Sequence, residues 1–204
     1  MEKEIEYKGY IIRQDYDEFA EDPTNGFDFT FLALHDDPRL GWNSISEYYN
    51  NIKLNIIEYF NNDEDFTFDH LTDLDYDELD EDKETVNIIF NELQELYYID
   101  LISIYEHSGI SVSRGAQQGW DSWVEGIVYT TRQNNVSKEE VDKELDKFLS
   151  LYNAYLNGEC YTIKIYSKDD KTYEEIIDSF DYFGYKNEDD MIDIAKKAID
   201  NIVL

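Results

Sequence analysis

His107 and Ser108 stand together in the run YEHSG, and Asp121 and Ser122 stand together in GWDSW. Serine, imidazole and carboxylate are the three groups of nucleophilic acyl transfer, so these two blocks hold the residue types of a hydrolase. The GxSxG turn that presents such a serine on a strand-to-helix elbow is missing from the sequence. The preferred reading is therefore structural. His107 and Asp121 bond loop backbone, Ser108, Trp120 and Ser122 complete the loops, and Gly109 and Gly126 relieve steric pressure. No residue is assigned a catalytic role, and a hydrolase using His107 and Asp121 is the lesser alternative. His35 and His70 stand alone and read as structural or surface residues.

Carboxylates are the other reactive groups present in quantity. Asp75, Asp77 and Asp80 superficially resemble the opening of a calcium loop, but the glycine at its sixth position and the glutamate at its twelfth are replaced by Asp80 and Val86. Two-metal phosphoryl transfer also uses carboxylates, yet no Lys/Arg cluster would draw a polyanionic substrate into so negative a field. The phosphate-binding GxxxxGK[ST] run, a GxGxxG run and HExxH are all missing from the sequence. The single Cys160 excludes an intramolecular disulfide and a thiolate-rich metal site. Neither a cofactor nor a metal is expected.

What the carboxylates offer instead is charge. There are 48 Asp and Glu against 17 Lys and Arg, a formal net charge of -31, alongside an aromatic content of 16%. Disordered acidic chains are poor in aromatic residues, so this charge belongs on a folded body. It is densest over 61–84, where Asp63, Glu64, Asp65, Asp69, Asp73, Asp75, Asp77, Glu78, Asp80, Glu81, Asp82 and Glu84 face one basic residue, Lys83. Interspersed Phe66, Phe68, Leu71, Leu74, Tyr76 and Leu79 suggest a segment pinned to the body. These twelve carboxylates are the expected partner-binding face, extended by Asp15, Asp17, Glu18, Glu21 and Asp22. A surface of this kind attracts proteins with cationic DNA channels and repels nucleic acid itself.

The elements that must hold these groups follow from periodicity. Residues 4–15 and 27–35 read as strands; in the second, Phe27, Phe29, Phe31 and Ala33 alternate with Asp28, Thr30, Leu32 and Leu34. Pro23, Asn25 and Gly26 between them predict a hairpin. Ser44 and Glu47 form a capping box for a helix over 44–60, and a second helix is predicted over 85–97, with Val86, Ile89, Phe90 and Leu93 inward. Residues 101–113 and 125–131 read as central strands around a glycine-containing loop. Ser137 and Glu140 cap a helix that ends at Asn157-Gly158. The run 160–167 is a strand with Tyr161, Ile163 and Ile165 on one face, and helices are predicted over 172–180 and 188–202.

Adjacent strands without an intervening helix make this an α+β fold, a mixed or antiparallel sheet of about five strands packed with four to five helices. Residues 1–100 carry 28 acidic and 6 basic residues, and 101–204 carry 20 and 11. The expectation is a strongly acidic N-terminal half and a C-terminal α+β body, either as two lobes or as one continuous domain. An acidic, polar N-terminus and the lack of any long apolar run place the chain in the cytoplasm, away from membranes.

The stretch YEHSGISVSRGAQQGWDSWVEGIVYTT resembles a block found in a family of phage and mobile-element proteins, in which an aromatic-HSG run and a serine-containing strand precede WDSG, a glycine and an aromatic strand. LNGECYTIKIY and EEIIDSFDYFGY are similar to later blocks of that family, so the resemblance covers about 101–185. Trp123 stands where the family has glycine. The resemblance implies a shared fold and a setting in a bacterial host cell, with no reaction attached. In surface charge the chain resembles antirestriction and anti-CRISPR proteins that imitate DNA. The function this implies is inhibition of a host DNA-binding defence protein, a restriction or CRISPR nuclease, with an acidic adaptor for a non-DNA-binding partner as the alternative. A homodimer would lengthen the charged surface but must overcome mutual repulsion.

Overall fold

A computed structural model describes residues 3–23, 27–34, 40, 42–45, 51–62, 79, 82–117, 119–132, 136–170, 172–184 and 188–203. Among them are nine strands in two sheets and four helices, an α+β fold. The chain divides into two compact units, one formed by Met1–Phe27 with Asp146–Leu204 and the other by Asp28–Leu145.

In the first unit, β1 (Lys3–Tyr7) and β2 (Tyr10–Tyr16) form a hairpin, so the single strand expected over 4–15 is two. Lys8 and Gly9 turn it with φ of 49° and 83°, the positive pair of a type I′ turn. The hairpin predicted between 4–15 and 27–35 does not form. β2 pairs instead with β8 (Cys160–Ser167), which pairs with β9 (Ile176–Phe183), every neighbour antiparallel. β9 replaces the helix expected over 172–180. Its Ile176, Ile177, Phe180, Tyr182 and Phe183 fit a pleated surface better than a helix face, and strand β8 supplies the ladder.

One face of this sheet buries Ile12, Ile163 and Ile165 under Ile192, Ala195 and Ile199 of a terminal helix, Glu188–Ile202. The capped helix Lys138–Leu156 contributes Phe148 and Tyr152, both 0% exposed, to this unit. Its ends match the sequence reading: Ser137 N donates to Glu140 Oε2 at 2.8 Å and Glu140 N to Ser137 Oγ at 3.3 Å. At the other end Glu159 N reaches Ala154 O and Gly158 N reaches Tyr155 O, a Schellman motif with Gly158 at φ 70°.

The second unit holds the sheet β4-β3-β7-β5-β6, built from β3 (Thr30–Ala33), β4 (Asn43–Ser44), β5 (Tyr97–Glu106), β6 (Ile110–Arg114) and β7 (Ser122–Thr131). Residues 101–113 are thus a β5–β6 hairpin and not one strand. Ser44 belongs to β4, so the predicted cap at Ser44 fails. Helix α1 (Ile52–Asn61) starts later, with Asn51 accepting from Lys53 N, while Glu47 lies outside the described residues. Helix α2 (Lys83–Leu96) turns Val86, Ile89, Phe90 and Leu93 inward as expected, against Leu32, Ile127, Phe60 and Leu79. The charge step at residue 100 falls inside β5, so charge content and compact units divide the chain at different places.

Candidate functional site

The β5–β6 turn carries His107, Ser108 and Gly109, and the turn entering β7 carries Trp120, Asp121 and Ser122. Antiparallel pairing of β5 with β7 brings these turns together, because Tyr105 faces Ser122 at the end of the ladder. Glu106 N donates to Asp121 O at 2.9 Å, and His107 Nδ1 lies 3.2 Å from Asp121 Oδ2. The imidazole thus meets a carboxylate side chain, where loop backbone was the expected partner. Its side chain is 70% exposed, where such a pair contributes at most about 1 kcal/mol. Tyr105 lies 6.4 Å from the His107 ring, and Trp120 is 100% exposed.

Residues that the sequence reading did not single out anchor the β6–β7 loop. Ser103, fully buried, donates to Gly115 O at 2.5 Å and accepts from Gln117 N at 2.9 Å. Arg114 Nη2 lies 2.5 Å from both Asp100 and Asp142. Glu125, 2% exposed, is bonded by Trp123 Nε1 and is passed over where the register moves from Ser103–Val124 to Ile102–Gly126, a β-bulge. No local pattern marks these partners, since each is distant in sequence or set by the bulge.

Gly126 has the steric role expected of it. A Cβ there would sit 2.1 Å from Leu32 O and 3.1 Å from Ala33 Cα, because β3 pairs with β7 at this point, Ala33 opposite Gly126. Gly109 occupies the exposed turn.

Of the twelve carboxylates expected to face a partner, ten lie outside the described residues: Asp63, Glu64, Asp65, Asp69, Asp73, Asp75, Asp77, Glu78, Asp80 and Glu81. Asp82 caps α2, accepting from Thr85 N at 3.2 Å and Thr85 Oγ1 at 2.7 Å, and these bonds hold its carboxyl below the usual range. Glu84 is exposed in the first turn, where a negative charge suits the helix dipole. Leu79 is buried in the core, consistent with a pinned acidic segment at that point.

Asp15, expected to extend the anionic face, is itself paired with cations. It is held between Arg13 Nε at 2.7 Å and Lys164 Nζ at 2.9 Å. Burial pushes its carboxyl up, but the bonds from Lys164 and Arg13 outweigh this and hold it below the ordinary value. A carboxylate depressed on folding stabilises above its unfolded value of about 3.9, and that contribution is lost as pH falls through the folded value. Asp15→Asn is expected to cost about 1–2 kcal/mol at neutral pH. In denaturant titrations the gap to the parent should be full above about pH 5 and close on further acidification. A gap independent of pH would remove the ion cluster from the account of stability.

Among the described residues, no group of three or more His, Cys, Asp or Glu is arranged to hold a metal ion, and no helix is long and apolar enough to cross a membrane. No protein-family model matches the chain, and neither a curated protein nor a solved structure matches it.

Proposed function

We propose that this chain is a DNA-mimic inhibitor that occupies the cationic DNA-binding surface of a host defence protein, a restriction or CRISPR nuclease. The observation that carries the reading is the charge balance of the second unit, 27 acidic against 7 basic residues over Asp28–Leu145. Among the described residues of that unit, Glu58, Glu84, Glu92, Glu95, Asp100 and Glu125 stand on helices and strands around a packed core. The net charge of -31 equals that of roughly 15 base pairs at one phosphate per 1.7 Å of duplex. A cationic channel shaped for DNA gains counterion release from such a surface and needs no catalytic group in return. The resemblance read from the blocks over 101–185 supports a setting in the cytoplasm of a bacterial host.

The test uses a purified restriction or CRISPR nuclease of the host. The chain should block cleavage, duplex DNA should displace it, and reversal of Asp73, Asp75, Asp77 and Asp80 to Lys should abolish the block while leaving the circular dichroism spectrum unchanged. Binding indifferent both to competing duplex and to those reversals would transfer the function to the adaptor alternative.

A hydrolase reading has one observation in its favour, the 3.2 Å approach of His107 to Asp121. Acyl transfer also needs a nucleophile on the other imidazole nitrogen. It predicts an esterase or peptidase activity that His107→Ala abolishes without loss of fold.

A further inference from the structure

Trp120 is 100% exposed, although a tryptophan is among the side chains that gain most from burial. The turn that carries it is tied down on each side. Gly119 and Ser122 form a β-bridge, Asp121 O accepts from Glu106 N, and Asp121 Oδ2 lies beside His107. An indole presented by a fixed turn loses little freedom on binding, which is the condition under which an exposed aromatic becomes an interface anchor.

Charge decides what can cover it. A nucleic-acid base could stack on an indole, but its phosphates would meet a net charge of -31. An anionic lipid surface is repelled for the same reason, and a second copy would bring a further -31 against the first. A cationic protein is attracted. Its arginines match the local chemistry, because a guanidinium stacks on an indole face and pairs with a carboxylate at once, and Asp121, whose Oδ2 lies 3.2 Å from His107, is the next residue along the turn.

We infer that Trp120 is the aromatic anchor for an arginine side chain of the cationic partner. This deepens the proposed function and rests on it: the carboxylates supply attraction at range, and Trp120 supplies a short-range contact that selects arginine over lysine.

The probe is a blocked oligo-arginine peptide of about nine residues, titrated by calorimetry at about 0.15 M salt beside an oligo-lysine of equal length. Trp120→Ala should weaken oligo-arginine by about five- to tenfold and oligo-lysine by less, with Trp120→Phe recovering much of the loss. Because the side chain is fully exposed, both variants should melt with the parent. Equal affinity of the parent and Trp120→Ala for oligo-arginine would overturn the anchor while leaving the charge-based reading in place. Failure of the parent to bind either peptide would overturn both.

Discussion

Gly126→Ala is expected to destabilise the second unit by about 3 kcal/mol, at the upper end of overpacking costs, and to lower the melting temperature by roughly 6–12 °C. The added methyl would meet Leu32 O at 2.1 Å, and Leu32 C and Ala33 Cα at 3.0 and 3.1 Å. These are backbone atoms of a paired strand, so no side-chain rotation relieves the clash. Either β3 lifts from β7, breaking the ladder from Thr30–Tyr129 to Ala33–Gly126, or the β7 bulge at Glu125 shifts. Both routes disturb Leu32 and Ile127, which are fully buried in the core of this unit. Gly109→Ala is the matched control, since that residue lies in an exposed turn. Its effect should stay within about 0.5 kcal/mol. A Gly126→Ala protein that melts with the parent would mean that β3 is not held against β7 as described.

The second large effect is on binding. If a cationic DNA channel is the target, raising salt from about 50 to about 200 mM should weaken the complex by roughly 10²- to 10³-fold. Duplex DNA loses roughly 10³- to 10⁵-fold over that range for six to ten neutralised phosphates. The protein should lose less, because only a uniform line of phosphates such as a duplex condenses counterions along its whole length. Replacing Asp73, Asp75, Asp77 and Asp80 by Asn should flatten the salt dependence, whereas Trp120→Ala should lower affinity with the slope retained. That difference separates attraction at range from contact. A complex weakened less than tenfold over the interval would place its binding energy in an apolar interface and sink the mimic reading.

The elements that the chain announces in advance are those with local causes. The long helix over 138–156 was legible because Ser137 and Glu140 satisfy each other's backbone donors and Gly158 accepts a positive φ, all within a turn of the helix ends. The inward stripe of α2 was legible for the same reason, since Val86, Ile89, Phe90 and Leu93 recur at helical spacing. The sign and density of charge, and the need for an aromatic core, also follow from composition alone.

Strand identity followed a different rule. Ile176–Phe183 carries apolar residues that suit a helix face or a pleat, and pairing from Cys160–Phe183 to Tyr166–Ile176 selected the strand. The first thirty residues misled because Pro23 to Gly26 has strong turn composition, while the actual hairpin turns at Lys8-Gly9 and β2 finds its other neighbour some 150 residues later, as in the Arg13–Lys164 pair. The His107 and Asp121 blocks could be picked out one by one, but their 3.2 Å approach came from the β5–β7 register. Composition and short-range spacing thus determined the charge, the capped helix over 138–156 and the α+β class. Tertiary structure decided which strands pair, which carboxylates are spent on Arg13, Lys164 and Arg114, and which turn lifts Trp120 into solvent. The physical reason is that a helix satisfies its hydrogen bonds within a few residues, whereas a strand or an ion cluster is defined by partners the chain must fold to reach.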